Sequence, residues 1–593
     1  MECSRQLHAI SRLSAGLLLA AISANLPAFA ATTTYTGAWS GGTIAPGDSA
    51  VLADGASLTG NVVANGLLEF AQTTALTTSA TITGTGGLAI TNTGTVTLTG
   101  LSSGTARFDL AISASRGELA IGATGTNPFV VGNTGIGSLS VTGGVVRSGT
   151  AFLGLAAGSL GTATVSSGTW VNAAGSSGRN LYVGHSGTGV LNVSGGFVTN
   201  ANAYIGFNAG SIGTATVSSG TWQNRGSFYV GGGVNGTGGI GAVTMTGGLV
   251  VTSNAGYIGF LGSGTGSIGT VTVTGGTLST AFNLNVGTSG TGTLTISGSG
   301  GTSGSVIVGG TLSKGASGTI NLDAGGTLQI GTGSTGGVLG TDLVNNGVLI
   351  FNRLGTGTVG VSISGTGSAT LANSATMRIT GTSTYSGPTT INAGTLLVDG
   401  ALGGTNVVVN AGGVLGGAGA LGGSVAVQAG GTLAPGGGIE SLACGPLTLL
   451  DGAVLRYEWD SQAPATSDLL TIMGNLSLTG TVGLVLEDLA ATPGTVADGT
   501  ILSLVNYTGD WSGGSFARGG TTLADESMFS VGGQLWQIDY DATVGGVNRT
   551  AEYLPESHFV NLVAVPEPSA GALLGIGLLG PALAWRRARR RGA

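Results

Sequence analysis

The sequence predicts an all-β chain: a right-handed parallel β-helix (a solenoid) with a β-rich C-terminal cap and a C-terminal transmembrane helix. Three observations predict it. Glycine supplies 119 of 593 residues and charged residues only 7%, so turns are frequent and ion pairs cannot organise the fold. Short runs of Val, Ile, Leu and Thr alternate with Ser, Thr and Gly, the pattern of strands with one buried face. These runs recur at a nearly fixed period, which marks stacked repeats rather than the several ordinary domains that length alone would suggest. Collagen is excluded because glycine does not fall at every third residue and proline is scarce. Disorder is excluded by low charge and positive mean hydropathy.

The first element, residues 1–30, is a leader. Arg5 and Arg12 precede LSAGLLLAAISANL, and Ala28-Phe29-Ala30 places small residues two apart. A positive start, a short apolar run and this ending make a secretory signal peptide, with Ala28 and Ala30 marking cleavage after Ala30. The run is too short to span a membrane. The mature chain is therefore expected to pass through the general secretion machinery and to be cut by signal peptidase. Cys444 is then its single cysteine, which rules out an internal disulfide or a cysteine zinc site.

Residues 31–127 read as N-terminal β repeats or a cap, and 128–310 as the best-formed β-helix repeats. Two motifs alternate there. One is a strand closing in glycine, as in FVVG, LYVG, AYIG, FYVG and GYIG, with closing glycines at Gly132, Gly184, Gly206, Gly231, Gly259, Gly287 and Gly309 and a poorer copy at Gly154. The other, as in GTATVSSG and GTVTVTGG, places an apolar residue at Val141, Val165, Val193, Val217, Met245, Val273 and Ile296, with gaps of 24, 28, 24, 28, 28 and 23 residues. Each unit has an apolar face too small to bury alone, and stacking coils buries those faces together. Glycine at the corners permits positive φ without steric cost. A series of antiparallel sandwiches is the rival, which the steady period without long linkers disfavours.

Residues 311–438 continue the repeats. Within them Thr384-Tyr385-Ser386-Gly387, Asn392-Ala393-Gly394-Thr395-Leu396 and Gly431-Thr432-Leu433-Ala434-Pro435-Gly436 follow one another. This stretch resembles the autotransporter-associated β-strand repeat, and the resemblance implies a β-helical passenger-like stalk. Autotransporters end in a membrane β-barrel, built of strands of about ten alternating residues. This sequence ends instead in an arginine cluster, which implies another route to the surface.

Residues 439–563 change texture. Fifteen acids lie between Glu440 and Glu556, Trp459, Trp511 and Trp536 appear, and QLWQIDYDATVG and VNLVAV read as strands. The open end of a solenoid is a pairing edge that needs cover, so this region reads as a β-rich terminal cap.

The last element, residues 564–593, holds Pro566, Glu567 and Pro568, an uncharged stretch from Ser569 to Trp585, and Arg586, Arg587, Arg589, Arg590 and Arg591. Seventeen helical residues reach about 25 Å, near the lower limit for a membrane span. By the positive-inside rule the arginines stop transfer and remain cytoplasmic. The order of these parts resembles the PEP-CTERM sorting signal of Gram-negative bacteria. The resemblance implies that an exosortase-like membrane enzyme recognises Pro566-Glu567-Pro568 and processes the tail.

Chemistry is sparse. Between Glu118 and Asp323 lie 204 residues without a carboxylate, so neither paired catalytic acids nor calcium-binding repeats fit there. His8, His185 and His558 are scattered and make no metal cluster. Asp460 and Asp468 read as solvated loop acids. No catalytic, cofactor or metal residue is assigned. Without its two ends the chain carries a charge of about −12, which disfavours nucleic acid as a partner. Trp170 and Trp222 recur in SSGTW, and Tyr182, Tyr204, Tyr229 and Tyr257 recur in the glycine-closed strands; an outward stack could bind glycans, but ladder packing is the reading taken. The expectation is a non-enzymatic, adhesin-like surface protein. It is held transiently in the inner membrane by its helix, then sorted to the cell surface or a biofilm matrix with exopolysaccharide as a partner. A carbohydrate-binding surface protein, and behind it a polysaccharide-degrading β-helix enzyme, are the alternatives.

Overall fold

The computed structural model describes residues 31–566, apart from short segments at 84–85, 92–94, 99–105, 109–110, 115–117, 122–127, 173–178, 262–265 and 465–466. The described residues form strands and turns with almost no helix. None of their helices is long and apolar enough to cross a membrane. The expected spanning segment 569–585 lies outside the described residues, as do Ala28, Ala30, Glu567, Pro568 and the five tail arginines.

The chain divides into two compact units, each built of parallel coils. Among the described residues, one holds those up to Val306 together with Ser313–Ile320, and the other holds Ile307–Leu312 and those from Asn321 to Pro566.

The first unit contains four strands of 13 residues: β1 (Thr188–Asn200), β2 (Ile212–Asn224), β3 (Ile240–Thr252) and β4 (Ile268–Thr280). Each lies parallel to the next. Val141 pairs with Val165, then Val193, Val217, Met245, Val273 and Ile296 in turn. The gaps read from the sequence are therefore the coil lengths. Alternation explains the strands: Leu191, Val193, Ala215, Val217, Val271 and Val273 are fully buried, while Asn192, Thr216 and Thr272 between them face out. A second inward column runs Val146, Trp170, Val198, Trp222, Val250, Leu278. Bulky Trp alternates with smaller Val, which lets successive rungs fill one interior without voids.

The corner glycines behave as expected at seven of the eight positions: Gly132, Gly154, Gly184, Gly206, Gly231, Gly259 and Gly287 have positive φ, whereas Gly309 does not. Gly206 shows a second reason for glycine. Its φ is +70°, and a Cβ there would lie 2.2 Å from the carbonyl oxygen of Ile240. The position demands both a left-handed backbone and the close approach of another coil.

The second unit has shorter coils. Leu343 pairs with Ile363, Thr389 with Val407 and Val407 with Val425. In the motif-rich stretch Tyr385 is buried, with its hydroxyl 2.6 Å from Thr389 Oγ1. Parallel rungs continue past Gly438: β5 (Ala420–Leu421), β6 (Ser441–Cys444), β7 (Leu469–Ile472) and β8 (Ile501–Tyr507) follow one another. The pairing then turns antiparallel, through β9 (Met528–Val531), β10 (Gln534–Ala542) and β11 (His558–Val565). The composition shift that begins at residue 439 thus falls within parallel coils, and the change of pairing comes later. The two strands read in the cap sequence are β10 and β11.

Candidate functional site

The C-terminal strand β11 is held from both sides, antiparallel to β8 and to β10. Its alternating Val560, Leu562 and Ala564 are buried. The Ala564 N–H donates to Thr500 O at 2.8 Å, and Ala564 O accepts from the Gly499 N–H at 2.7 Å. Gln534 Nε2 donates to Val565 O at 3.4 Å. Pro566 follows and is exposed. Proline has no N–H to continue a ladder, so the sheet ends there for a local reason.

Residues 564–591 match the PEP-CTERM protein-sorting motif. The chain matches no curated protein. The motif is the signal recognised by exosortase, so this is an exported protein sorted by that enzyme class. The PEP-CTERM segment begins inside β11, so its first two residues, Ala564 and Val565, are the last two of a strand paired on both sides. Of the tripeptide, the structure places Pro566 alone.

The recurring aromatics separate into two groups. Trp170 and Trp222 are fully buried. Trp222 Nε1 donates to Asn200 Oδ1 at 2.8 Å and Trp170 Nε1 to Ser148 Oγ at 3.1 Å. Neither can present a glycan surface. Sequence reading missed the interior polar column of Ser148, Asn172, Asn200 and Asn224, in which Ser148 and Asn200 accept from the two indoles. Its signal was the Asn closing TWVN, FVTN and TWQN. The tyrosines instead stack on the outer side of their strands. Phe152, Tyr182, Tyr204, Tyr229 and Tyr257 form a continuous ladder with centroids 4.8–4.9 Å apart. Phe207 and Phe260 cover it, so burial pushes the Tyr204 hydroxyl up to about 12. His185 follows the corner at Gly184, and its ring packs on Phe152, Tyr182 and Phe207. Burial lowers its pKa, so the ring is neutral packing material. This is the ladder reading, with the rings in a covered outer layer.

One expectation is overturned. Asp468 is fully buried, not a solvated loop acid. Its Oδ1 accepts the Glu440 N–H at 2.9 Å and its Oδ2 the Glu458 N–H at 2.8 Å. Burial pushes the carboxyl up to about 7 against the pull of those two donors, and neighbouring Glu458 adds to the rise. Asn548 Nδ2 reaches Asp468 O, Ser503 O and Tyr457 Oη, and Arg549 donates to Ser467 O and Ile439 O. The loop before β11 is thereby fastened to coils some eighty residues earlier, a pairing no local pattern encodes. Asp460 does act locally, capping the N–H groups of Gln462 and Ala463.

Asp525, Asp539 and Asp541 also converge, with a carboxylate oxygen of each within 4.8 Å of the others. Burial raises the Asp539 carboxyl, helped by both neighbours. These three could hold a cation, but Asp525 and Asp541 are exposed and the geometry asks for none. His558 opens β11 and packs against Tyr507.

Proposed function

We propose that this is a non-enzymatic, adhesin-like or structural protein of the bacterial surface or extracellular matrix. Its stacked-coil body is delivered by the signal peptide, tethered briefly through residues 569–585, then released or re-anchored by an exosortase. The observation that carries the reading is the PEP-CTERM match, which begins within β11 between its partners β8 and β10. A carboxylate-free repeat surface supports a passive role, since it offers no acid–base pair. The shorter coils of the second unit, with Tyr385 buried in their motif, support the autotransporter-associated repeat as their ancestry. Exopolysaccharide of a Gram-negative biofilm is the partner this reading favours. The carbohydrate-binding alternative loses Trp170 and Trp222, which are buried, and needs other residues.

Mass spectrometry of the mature protein from its own host tests the reading at both ends. The expected result is a chain starting at Ala31 and lacking Arg586 to Arg591. An intact arginine tail overturns the processing step. Hydrolase or lyase turnover by the purified protein overturns the non-enzymatic assignment.

A further inference from the structure

The last coil of a solenoid is an open sheet edge unless something covers it. At the C-terminal side the antiparallel strands β9, β10 and β11 provide that cover. At the N-terminal side the first coil runs through three short strands, Thr32–Tyr35, Ala38–Trp39 and Gly42–Ile44. Among the described residues each pairs on one side only, with Ser49–Leu52, Ser57–Leu58 and Val62–Ala64 of the second coil. The carbonyls of Ala31, Tyr35, Gly37 and Trp39 accept the N–H groups of Ser49, Ala53, Ser57 and Thr59 in that coil. Backbone groups alternate in direction along a strand. The N–H and C=O of Thr32, Thr34 and Ala38 therefore point away from the second coil, toward whatever lies beyond the first.

This end lacks the devices that blunt an exposed edge. Residues 31–47 carry no charge, and Pro46 falls in the turn past the three strands, whereas exposed edges are ordinarily protected by lysine, proline or a covering segment. Tyr35 and Trp39 stack with centroids 4.6 Å apart. They stand in register over Leu52 and Leu58, both buried, so a half-buried aromatic pair forms the outermost layer of the coil interior. Aromatic rings of this kind are enriched in protein interfaces. The Ala31 N–H donates to Asp48 Oδ1 at 2.9 Å. Once the leader is removed, that nitrogen is the terminal ammonium, and Asp48 neutralises the charge that cleavage brings to this end.

These features select the occupant. A lone extended peptide satisfies one strand edge and leaves the other two open. A second coil end satisfies all of them, and since β9–β11 cover the C-terminal side, the matching coil end is the same surface on another copy. An uncharged end meets its own copy without like-charge repulsion. We propose that two mature chains pair end to end through their first coils, about a two-fold axis at Thr33. Thr32 then lies opposite Thr34 of the partner subunit, antiparallel, with an N–H···O=C pair on either side of the axis, and the Tyr35–Trp39 stacks of both copies close over one interior. Successive coils are 17 residues apart here, fewer than the roughly 20–30 residues a side of a stable interface, so the dimer dissociates on dilution. The proposal rests on cleavage after Ala30.

Sedimentation velocity over a dilution series of the mature protein tests this, with the intact mass of the same sample reading the cleavage separately. A retained leader fails the export reading; a cleaved chain that stays monomeric at every concentration fails the dimer alone. The expected result is twice the chain mass, falling toward the single chain on dilution. Thr34→Pro removes an outward N–H at a strand edge, where proline is tolerated. It should weaken association at least about tenfold, because the two-fold axis deletes the bond twice. Unchanged association in Thr34→Pro overturns the proposal. Hydrogen exchange on the unaltered protein decides the matter even if that variant loses its first coil. The amides of residues 32–39 should be protected where the dimer forms and exchange faster after dilution, and protection independent of concentration overturns the proposal as well.

Discussion

The repeats of the first unit and the closing sheet of the second reach stability by opposite means. Between residues 128 and 306 each rung repeats its neighbour: Val over Val, Tyr over Tyr, Trp alternating with Val, Gly at each corner. No rung is indispensable to the pattern, and no carboxylate takes part. Between Ile439 and Val565 the holding contacts are singular. Asn548 reaches Tyr457, Asp468 and Ser503, Arg549 reaches Ile439 and Ser467, and burial pushes the Asp468 carboxyl up to about 7. Repetition spreads stabilisation over many equivalent small contacts, so like residues suffice. A terminus has no next rung to copy and must close its edge with specific partners.

Four changes would break or sharpen this contrast. The largest effect is expected at a corner. Gly206→Val should destabilise the first unit by roughly 4 kcal/mol or more, because strain at positive φ adds to a collision with Ile240 O. Gly210, with φ +79° and open space around it, should cost only about 1–2 kcal/mol as Ala. Equal costs in thermal unfolding would show that close approach of coils does not matter.

The next tests the singular end. The Asp468 carboxyl sits at about 7 when folded, above its ordinary value of about 3.9. Its protonated form is thus favoured by folding, so stability is full below the ordinary value and falls as pH rises through about 7. Relative to Asp468→Asn, the closing region should lose on the order of 3–4 kcal/mol between pH 4 and 8. Hydrogen exchange resolved by segment reads it. The same pH series should leave residues 128–306 flat, and a parallel loss there would remove the contrast.

A smaller effect is expected inside the repeats. Trp222→Phe deprives Asn200 of a buried donor and should cost about 2 kcal/mol in thermal unfolding. Smallest is the outer ladder, where Tyr204→Leu gives up two ring stackings and should cost about 1 kcal/mol in the same measurement. If Tyr204→Leu proves the more damaging, the outer layer, not the interior, holds the coils together.

Much of the first unit was legible because a solenoid writes its register into its sequence. Val141 to Ile296 could be aligned by eye, and each of those pairs is a structural neighbour. The Tyr ladder was legible as recurrence but not as a face, since a strand shows which residues share a side and not which side is inward. The closing sheet was legible only as strands. That Asp468 would be buried depended on Asn548 and Arg549, eighty residues away, folding over it.

The PEP-CTERM segment illustrates the division most plainly. The sequence by itself determined the coil period, the glycine corners and the sorting motif, because each is carried by residues close together or repeated at fixed intervals. Tertiary structure alone decided that β11 is a paired strand between β8 and β10, that the motif begins within that strand, and that Asp468 is buried beneath Asn548 and Arg549. These depend on which distant strands become neighbours, and no short-range pattern specifies that where the repeat stops.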